Sequence, residues 1–102
     1  MIIVHDIFVC KPGNAGKLAK LFKEWAELEN SKNPGYNIQI MTDMTGQWHR
    51  VISVSTYESL AAYEEATKKM MADTPENKEM NEKFRNINDM YVSGSREIYK
   101  VW

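Results

Sequence analysis

The chain has one cysteine, three prolines and five glycines among its 102 residues, and each scarcity excludes something. A lone Cys10 cannot close an intramolecular disulfide, so packing must hold the fold, as suits a reducing compartment. The few prolines and glycines leave no linker or low-complexity segment. No apolar run approaches the roughly 20 residues needed to span a bilayer, so no membrane association is expected. The first residues read as a strand rather than a charged, apolar and cleavable leader, and the expected location is the cytoplasm. An excess of one charge is missing too: 13 basic against 14 acidic residues give a net charge of -1. Those charges are interspersed without blocks, which argues against nucleic acid as a partner. What is present, 43% hydrophobic and 26% charged residues, describes one globular domain. A chain of this length buries only about two-thirds of its extended surface, so its core is thin and a partner surface would help it.

The strongest pattern is a strand-to-helix junction made twice. Ile2-Ile3-Val4-His5-Asp6-Ile7-Phe8-Val9-Cys10 runs into Lys11-Pro12-Gly13, and Arg50-Val51-Ile52-Ser53-Val54-Ser55 runs through Thr56 into Tyr57-Glu58-Ser59-Leu60. After the first junction Leu18, Leu21, Phe22, Trp25 and Leu28 recur at helical spacing, with Lys17, Lys20, Lys23, Glu24 and Glu27 on the other side. Asn14 is the expected N-cap, and Asn33-Pro34-Gly35 ends the segment. A strand is expected from about Tyr36 to Met44, then a short loop at Thr45-Gly46-Gln47, then a strand from Trp48 to Thr56, which makes an antiparallel hairpin. The second helix is expected from near Tyr57 to about Ala72, with Leu60, Tyr63, Thr67, Met70 and Met71 as one face and Ser59 as the alternative cap. Pro75, capped by Thr74, opens a third helix carrying Met80, Phe84, Ile87 and Tyr91. Gly94 breaks it, and Ser95 to Trp102 alternates as the last strand.

The order β-α-β-β-α-(α)-β predicts an α+β, ferredoxin-like fold: a four-stranded antiparallel sheet with helices over one face. The first strand carries Ile3, Ile7 and Val9 on one side and Val4 and Phe8 on the other, so both faces seek cover. A second copy packed sheet to sheet would cover the face the helices leave open, and a homodimer is predicted.

The two junction segments, the second extended back through Gly46-Gln47-Trp48-His49, resemble those of the dimeric α+β barrel superfamily. The nearest likeness is to the NIPSNAP-like group, followed by the antibiotic-biosynthesis monooxygenases. The resemblance implies two ferredoxin-like subunits packed through their sheets into a dimeric α+β barrel, each with a cavity between sheet and helices. It also implies a range of activities: cofactor-independent oxygenases acting on quinols or polyketides, haem degraders, isomerases, and members with no assigned activity. Departures matter as well. NIPSNAP-like chains tend to carry a glutamate and an arginine where this one has Val4 and Asp6, and a histidine and a tryptophan where it has Ser53 and Ser55. Haem degraders take an axial histidine from the second helical region, and this chain has none between Tyr57 and Tyr91.

His5 and Asp6 are adjacent on a strand, point to opposite faces and cannot act as one base-and-orienter pair. His5 shares a side with Ile3 and Ile7, as a general base in an apolar pocket or as a core or interface histidine. Asp6 shares a side with Val4 and Phe8, where a carboxylate must be paired, open to a cavity, or shifted in pKa. Trp48 and Arg50, placed on one face of the third strand, would suit a planar anionic or carbonyl ligand, or would stabilise an edge of the dimer. Tyr57 is a third candidate ligand contact, or a packing residue at the junction; the other tyrosines and the methionines read mainly as core. Two histidines on separate strands make no metal site, Gly13-Asn14-Ala15-Gly16 lacks the features of a nucleotide loop, and nothing activates Cys10, so no metal or cofactor is expected. Two classes of function follow. One is a cofactor-independent oxygenase or isomerase acting on an apolar aromatic or carbonyl compound, with His5 or Asp6 moving the proton. The other is a non-catalytic homodimeric ligand-binding or interaction module.

Overall fold

The computed structural model describes residues 1–46 and 48–102, so Gln47 of the expected loop lies outside the described residues. Strand β1 (Ile2–Cys10) is followed by helix α1 (Ala15–Lys32), strand β2 (Gln39–Thr42), strand β3 (Arg50–Tyr57), helices α2 (Leu60–Met70) and α3 (Pro75–Lys83), and strand β4 (Tyr91–Lys100). The sheet is antiparallel, in the order β2-β3-β1-β4. The predicted α+β, ferredoxin-like architecture is therefore the observed one. No helix among the described residues is long and apolar enough to cross a membrane.

Four of the departures from the expected element boundaries have a local reason, while β4 runs Tyr91–Lys100 instead of Ser95 to Trp102. Strand β2 starts later than Tyr36, because Asn37 adopts left-handed backbone and Ile38 is tied to the Asn30 side-chain amide by two hydrogen bonds of 2.9 and 3.0 Å. Strand β3 starts at Arg50, two residues beyond Trp48, because His49 has φ of +64°; the Arg50 N–H is instead taken by Asp43 Oδ1 at 2.8 Å. Tyr57 does not open α2: it pairs with Ile2 as the last residue of β3, and the alternative cap Ser59 accepts from the Ala62 N–H at 3.1 Å. Finally, Phe84, Ile87 and Tyr91 do not continue α3. They belong to its C-cap, a single 3-10 turn and the start of β4, and all three pack against the same cluster of core residues. Gly94 lies within β4, directly opposite Phe8, whose ring lies 3.7 Å from where a Cβ would stand.

Alternation along the strands separates two sheet faces. Toward the helices β1 turns Ile2, Val4, Asp6, Phe8 and Cys10, and β3 turns Val51, Ser53, Ser55 and Tyr57, all four of the latter buried. Two apolar clusters form on this side. Ile2, Val4, Tyr57 and Ala66 make one, and Cys10, Leu18, Phe22 and Val51 the other, extended by Phe8 and Phe84. Phe8 and Phe84 each meet the Phe22 ring, at centroid distances of 5.0 and 5.6 Å. Burial also narrows the expected inner face of α2, for Leu60 and Met71 are exposed and Ala66 is the buried residue. The opposite face of the sheet carries Ile3, His5, Ile7 and Val9 from β1, and Ile52 and Val54 from β3, and no helix among the described residues covers it.

Candidate functional site

Between the two apolar clusters the helix-facing side of the sheet is polar. Ser53, Asp6 and Arg96 stand side by side in register across β3, β1 and β4, and Ser55 is the partner of Val4 in the next row. The strand alternation that turns Val4 and Phe8 toward the helices places Asp6 inward between them. Its carboxylate, 24% exposed, accepts a hydrogen bond at 2.5 Å from the Nε of Arg96, which is 56% exposed. A charge-assisted bond of this kind answers the need of a largely buried carboxylate for a partner. It also raises the guanidinium's pKa further, chiefly through the hydrogen bond itself.

A cavity of about 240 Å³ lies over this polar band, roofed by the helices. Asp6, Ser55, Tyr57 and Arg96 line it from the sheet, Trp25 and Glu29 from α1, Tyr63 and Met70 from α2, and Phe84 beyond α3. The guanidinium lies 5.8 Å from the centroid of the Tyr63 ring, in cation–π range. Tyr63 in turn meets Tyr57 edge-on at 5.0 Å. Burial pushes the Tyr57 phenol above its ordinary pKa; the neighbouring Tyr63, Tyr36 and Asp6 add to this, and Ser55 opposes it. Tyr57 is thus a neutral hydroxyl at the cavity wall across the physiological range. Asp6 Oδ2 and the two terminal nitrogens of Arg96 have no hydrogen-bond partner among the described residues, which leaves one acceptor and several donors for a ligand.

The candidate residues fall in three places. Asp6 and Tyr57 share the cavity. His5 lies on the open face of the sheet, half-buried, with its ring edge-on to Tyr99 at 5.1 Å and Glu97 opposite in register, away from the cavity. Trp48 lies in the loop before β3, 76% exposed, with His49 as its ring neighbour. Arg50 opens β3 opposite Val9 on the open face. The expected wall of Trp48 beside Arg50 on one strand face is therefore not formed, since the left-handed His49 ends the strand between them.

Arg96, Tyr63, Trp25 and Glu29 were absent from the expected site. Arg96 had a signal: it alternates with Glu97 on the last strand, and the first strand holds an inward carboxylate that needs a cation. Glu29 had one as well. It lies seven residues after Phe22 and three after Ala26, on the buried stripe of α1, where a carboxylate is out of place.

A larger groove of about 700 Å³ runs between α1 and β2, but it is open, and its charged side chains Lys20, Lys23 and Glu27 are solvent-exposed. Among the described residues no three His, Cys, Asp or Glu side chains cluster closely enough to hold a metal ion. Cys10 is buried, and burial raises its thiol pKa.

The NIPSNAP family model matches residues 6–98, nearly the whole chain. The chain belongs to the NIPSNAP family. Solved structures of NIPSNAP proteins share its fold. An uncharacterized NIPSNAP-like domain protein from Burkholderia xenovorans is 20% identical with a TM-score of 0.77, over 99% of this chain and 84% of that one. A NIPSNAP family protein from Agrobacterium tumefaciens is 18% identical, also with a TM-score of 0.77, over 97% and 90% of the two chains. An antibiotic biosynthesis monooxygenase-like protein from Deinococcus radiodurans is 14% identical with a TM-score of 0.70, over 100% and 93%. No curated protein matches the sequence. The NIPSNAP assignment and the monooxygenase-like neighbour together bear out the resemblance to the dimeric α+β barrel superfamily, and at these identities the structural likeness concerns fold alone.

Proposed function

We propose that the cavity over Asp6 and Arg96 binds a small aromatic or conjugated carbonyl compound and that Asp6 moves a proton on it without a cofactor. The observation that carries this reading is the charged pair itself. An acceptor oxygen of Asp6 and terminal donors of Arg96 meet at the floor of a cavity whose walls include Trp25, Tyr57, Tyr63 and Phe84. Its volume equals that of about eight water molecules, which suits a single ring better than a polycyclic compound. In an isomerase-type reaction Asp6 Oδ2 takes a proton from the carbon beside a carbonyl group, Arg96 donates to the oxygen as it becomes an enolate, and the proton returns at another carbon. The Tyr63 and Tyr57 rings hold the substrate plane. Deprotonation of a phenol or hydroquinone by the same carboxylate would begin a cofactor-independent oxygenation, with dioxygen as co-substrate.

The test is a thermal-shift screen of phenols, hydroquinones and aromatic carboxylates, followed by calorimetry on any hit. Oxygen uptake and proton exchange into deuterated buffer are then measured with the same compounds. Binding lost in Arg96→Met, and exchange lost in Asp6→Asn with binding retained, are the expected results. Binding without exchange or oxygen uptake would support the non-catalytic ligand-binding module instead.

We further propose that two copies associate through their open sheet faces. Ile3, Ile7, Val9, Ile52, Val54 and Met41 form one apolar surface there, in register across β1, β3 and β2. A monomer rarely leaves a surface of this kind in water.

A further inference from the structure

We infer that Glu29 is the second polar anchor of this cavity, and that its ligand therefore bears a hydrogen-bond donor as well as the oxygen held by Arg96. The inference rests on the proposed ligand site and specifies what that site selects. Glu29 belongs to the buried stripe of α1 with Leu18, Phe22 and Ala26, and its side chain is only 6% exposed. No hydrogen-bond donor among the described residues reaches its carboxylate. The nearest cation, the Lys32 ammonium one turn on, stands 3.7 Å away, beyond hydrogen-bond distance, and lies nearer to Glu76 on α3, at 3.2 Å. A carboxylate so enclosed, with an ion pair but no hydrogen bond from the protein, retains acceptor capacity for a ligand. It lines the same cavity as Asp6 and Arg96. Asn77, another buried polar side chain there, is already committed: its amide nitrogen donates to the carbonyls of Lys69 and Ala72 at 3.2 and 2.8 Å.

The two anchors approach the ligand from different layers, Arg96 from the sheet and Glu29 from the helix above it. A ligand that satisfies both carries an oxyanion or carbonyl oxygen on one part and a hydroxyl or amino group on another, as in a ring with two polar substituents. A singly substituted ring would leave Glu29 facing an apolar edge. Such a site rejects the analogue without the donor, because the buried carboxylate then remains unpaired.

The test compares 4-hydroxybenzoate, 4-aminobenzoate, 4-methoxybenzoate and benzoate as calorimetric ligands of the full chain and of Glu29→Gln and Glu29→Leu. The wild-type protein is expected to favour the hydroxy and amino compounds over the methoxy compound by about tenfold or more. Both variants should narrow that ratio, Glu29→Leu to near unity, with affinity for benzoate and the methoxy compound raised in Glu29→Leu as the penalty of an unpaired carboxylate is removed. Glu29→Leu is also expected to raise the melting temperature, since it removes an enclosed charge. A donor preference unchanged in both variants, or a melting temperature lowered by both together with uniform loss of affinity, overturns the inference and makes Glu29 a structural ion-pair residue. If benzoates and phenols all fail to bind even the wild-type chain, the ligand-site reading falls, and this inference with it; binding that depends on Arg96 but not on Glu29 removes the inference alone.

Discussion

Asp6 and Arg96 stand opposite one another across β1 and β4, joined by one charge-assisted hydrogen bond, and the two do not depend on it equally. Asp6 is mostly enclosed, whereas Arg96 is more than half exposed and can fall back on water. Arg96→Met should therefore destabilise the chain by about 1–3 kcal/mol, because it strands a buried carboxylate. Asp6→Asn should cost less, under about 1 kcal/mol. Urea unfolding of both variants at neutral pH checks this. Equal losses would mean that the Asp6 carboxylate is solvated through the cavity.

Stability at high pH should depend on Tyr57. Its phenol is raised above the ordinary value of 10.0, mainly by burial, so the unfolded chain releases that proton first. Its contribution is intact below pH 10 and is lost as pH rises through the higher folded value. Tyr99, raised by its hydrogen bond to Glu97, acts in the same window. Tyr57→Phe should flatten the alkaline decline measured by unfolding at several pH values, and Tyr99→Phe should flatten it less, since its ring is exposed. A decline identical in wild type and Tyr57→Phe would refute the assignment.

The open sheet face should govern assembly. Ile52 is in register with Ile7 on β1 and Met41 on β2, near the middle of that face. Ile52→Glu places a charge there and should convert dimers to monomers in analytical ultracentrifugation, with the helix content of the circular dichroism spectrum preserved. A wild-type chain that sediments as a monomer would remove the sheet-to-sheet proposal.

Two glycines should answer oppositely to alanine. Gly46 has φ of +101° and would bring its Cβ to 3.3 Å from Arg50 Nη2, so Gly46→Ala should cost about 1 kcal/mol or more. At Gly94 a Cβ meets only the Phe8 ring at 3.7 Å, an ordinary contact. Gly94→Ala should therefore be neutral or stabilise the chain by about 0.5 kcal/mol. Thermal unfolding monitored by tryptophan fluorescence distinguishes the two.

The architecture was legible because strand and helix periods reverse clearly at Cys10 and again after Tyr57. What escaped was set by single residues whose backbone departs from the pattern around them. His49 and Asn37 take left-handed conformations that shorten β3 and β2, and no hydrophobic period records that. The run Phe84, Ile87, Tyr91 mimics a helix because three different elements aim their side chains at one cluster of core residues. At the site, alternation placed Asp6 and His5 on opposite faces correctly but could not say which face the helices cover. Arg96 became its partner only through the β1–β4 register, which joins residues 90 positions apart. Glu29 lay in plain view as a carboxylate on an apolar stripe, overshadowed by the lysines and glutamates of the outer face.

That 90-residue separation also gives the site a place in time. During synthesis α1, the β2–β3 hairpin and Asp6 all precede Arg96, and the loop that Arg96 must close is among the longest and entropically slowest the fold contains. Until it closes, the carboxylate floor of the cavity has no cation and no outer wall. On the proposed ligand-site reading, a nascent or prematurely ended chain would hold no ligand, and binding competence would appear only when the last strand docks.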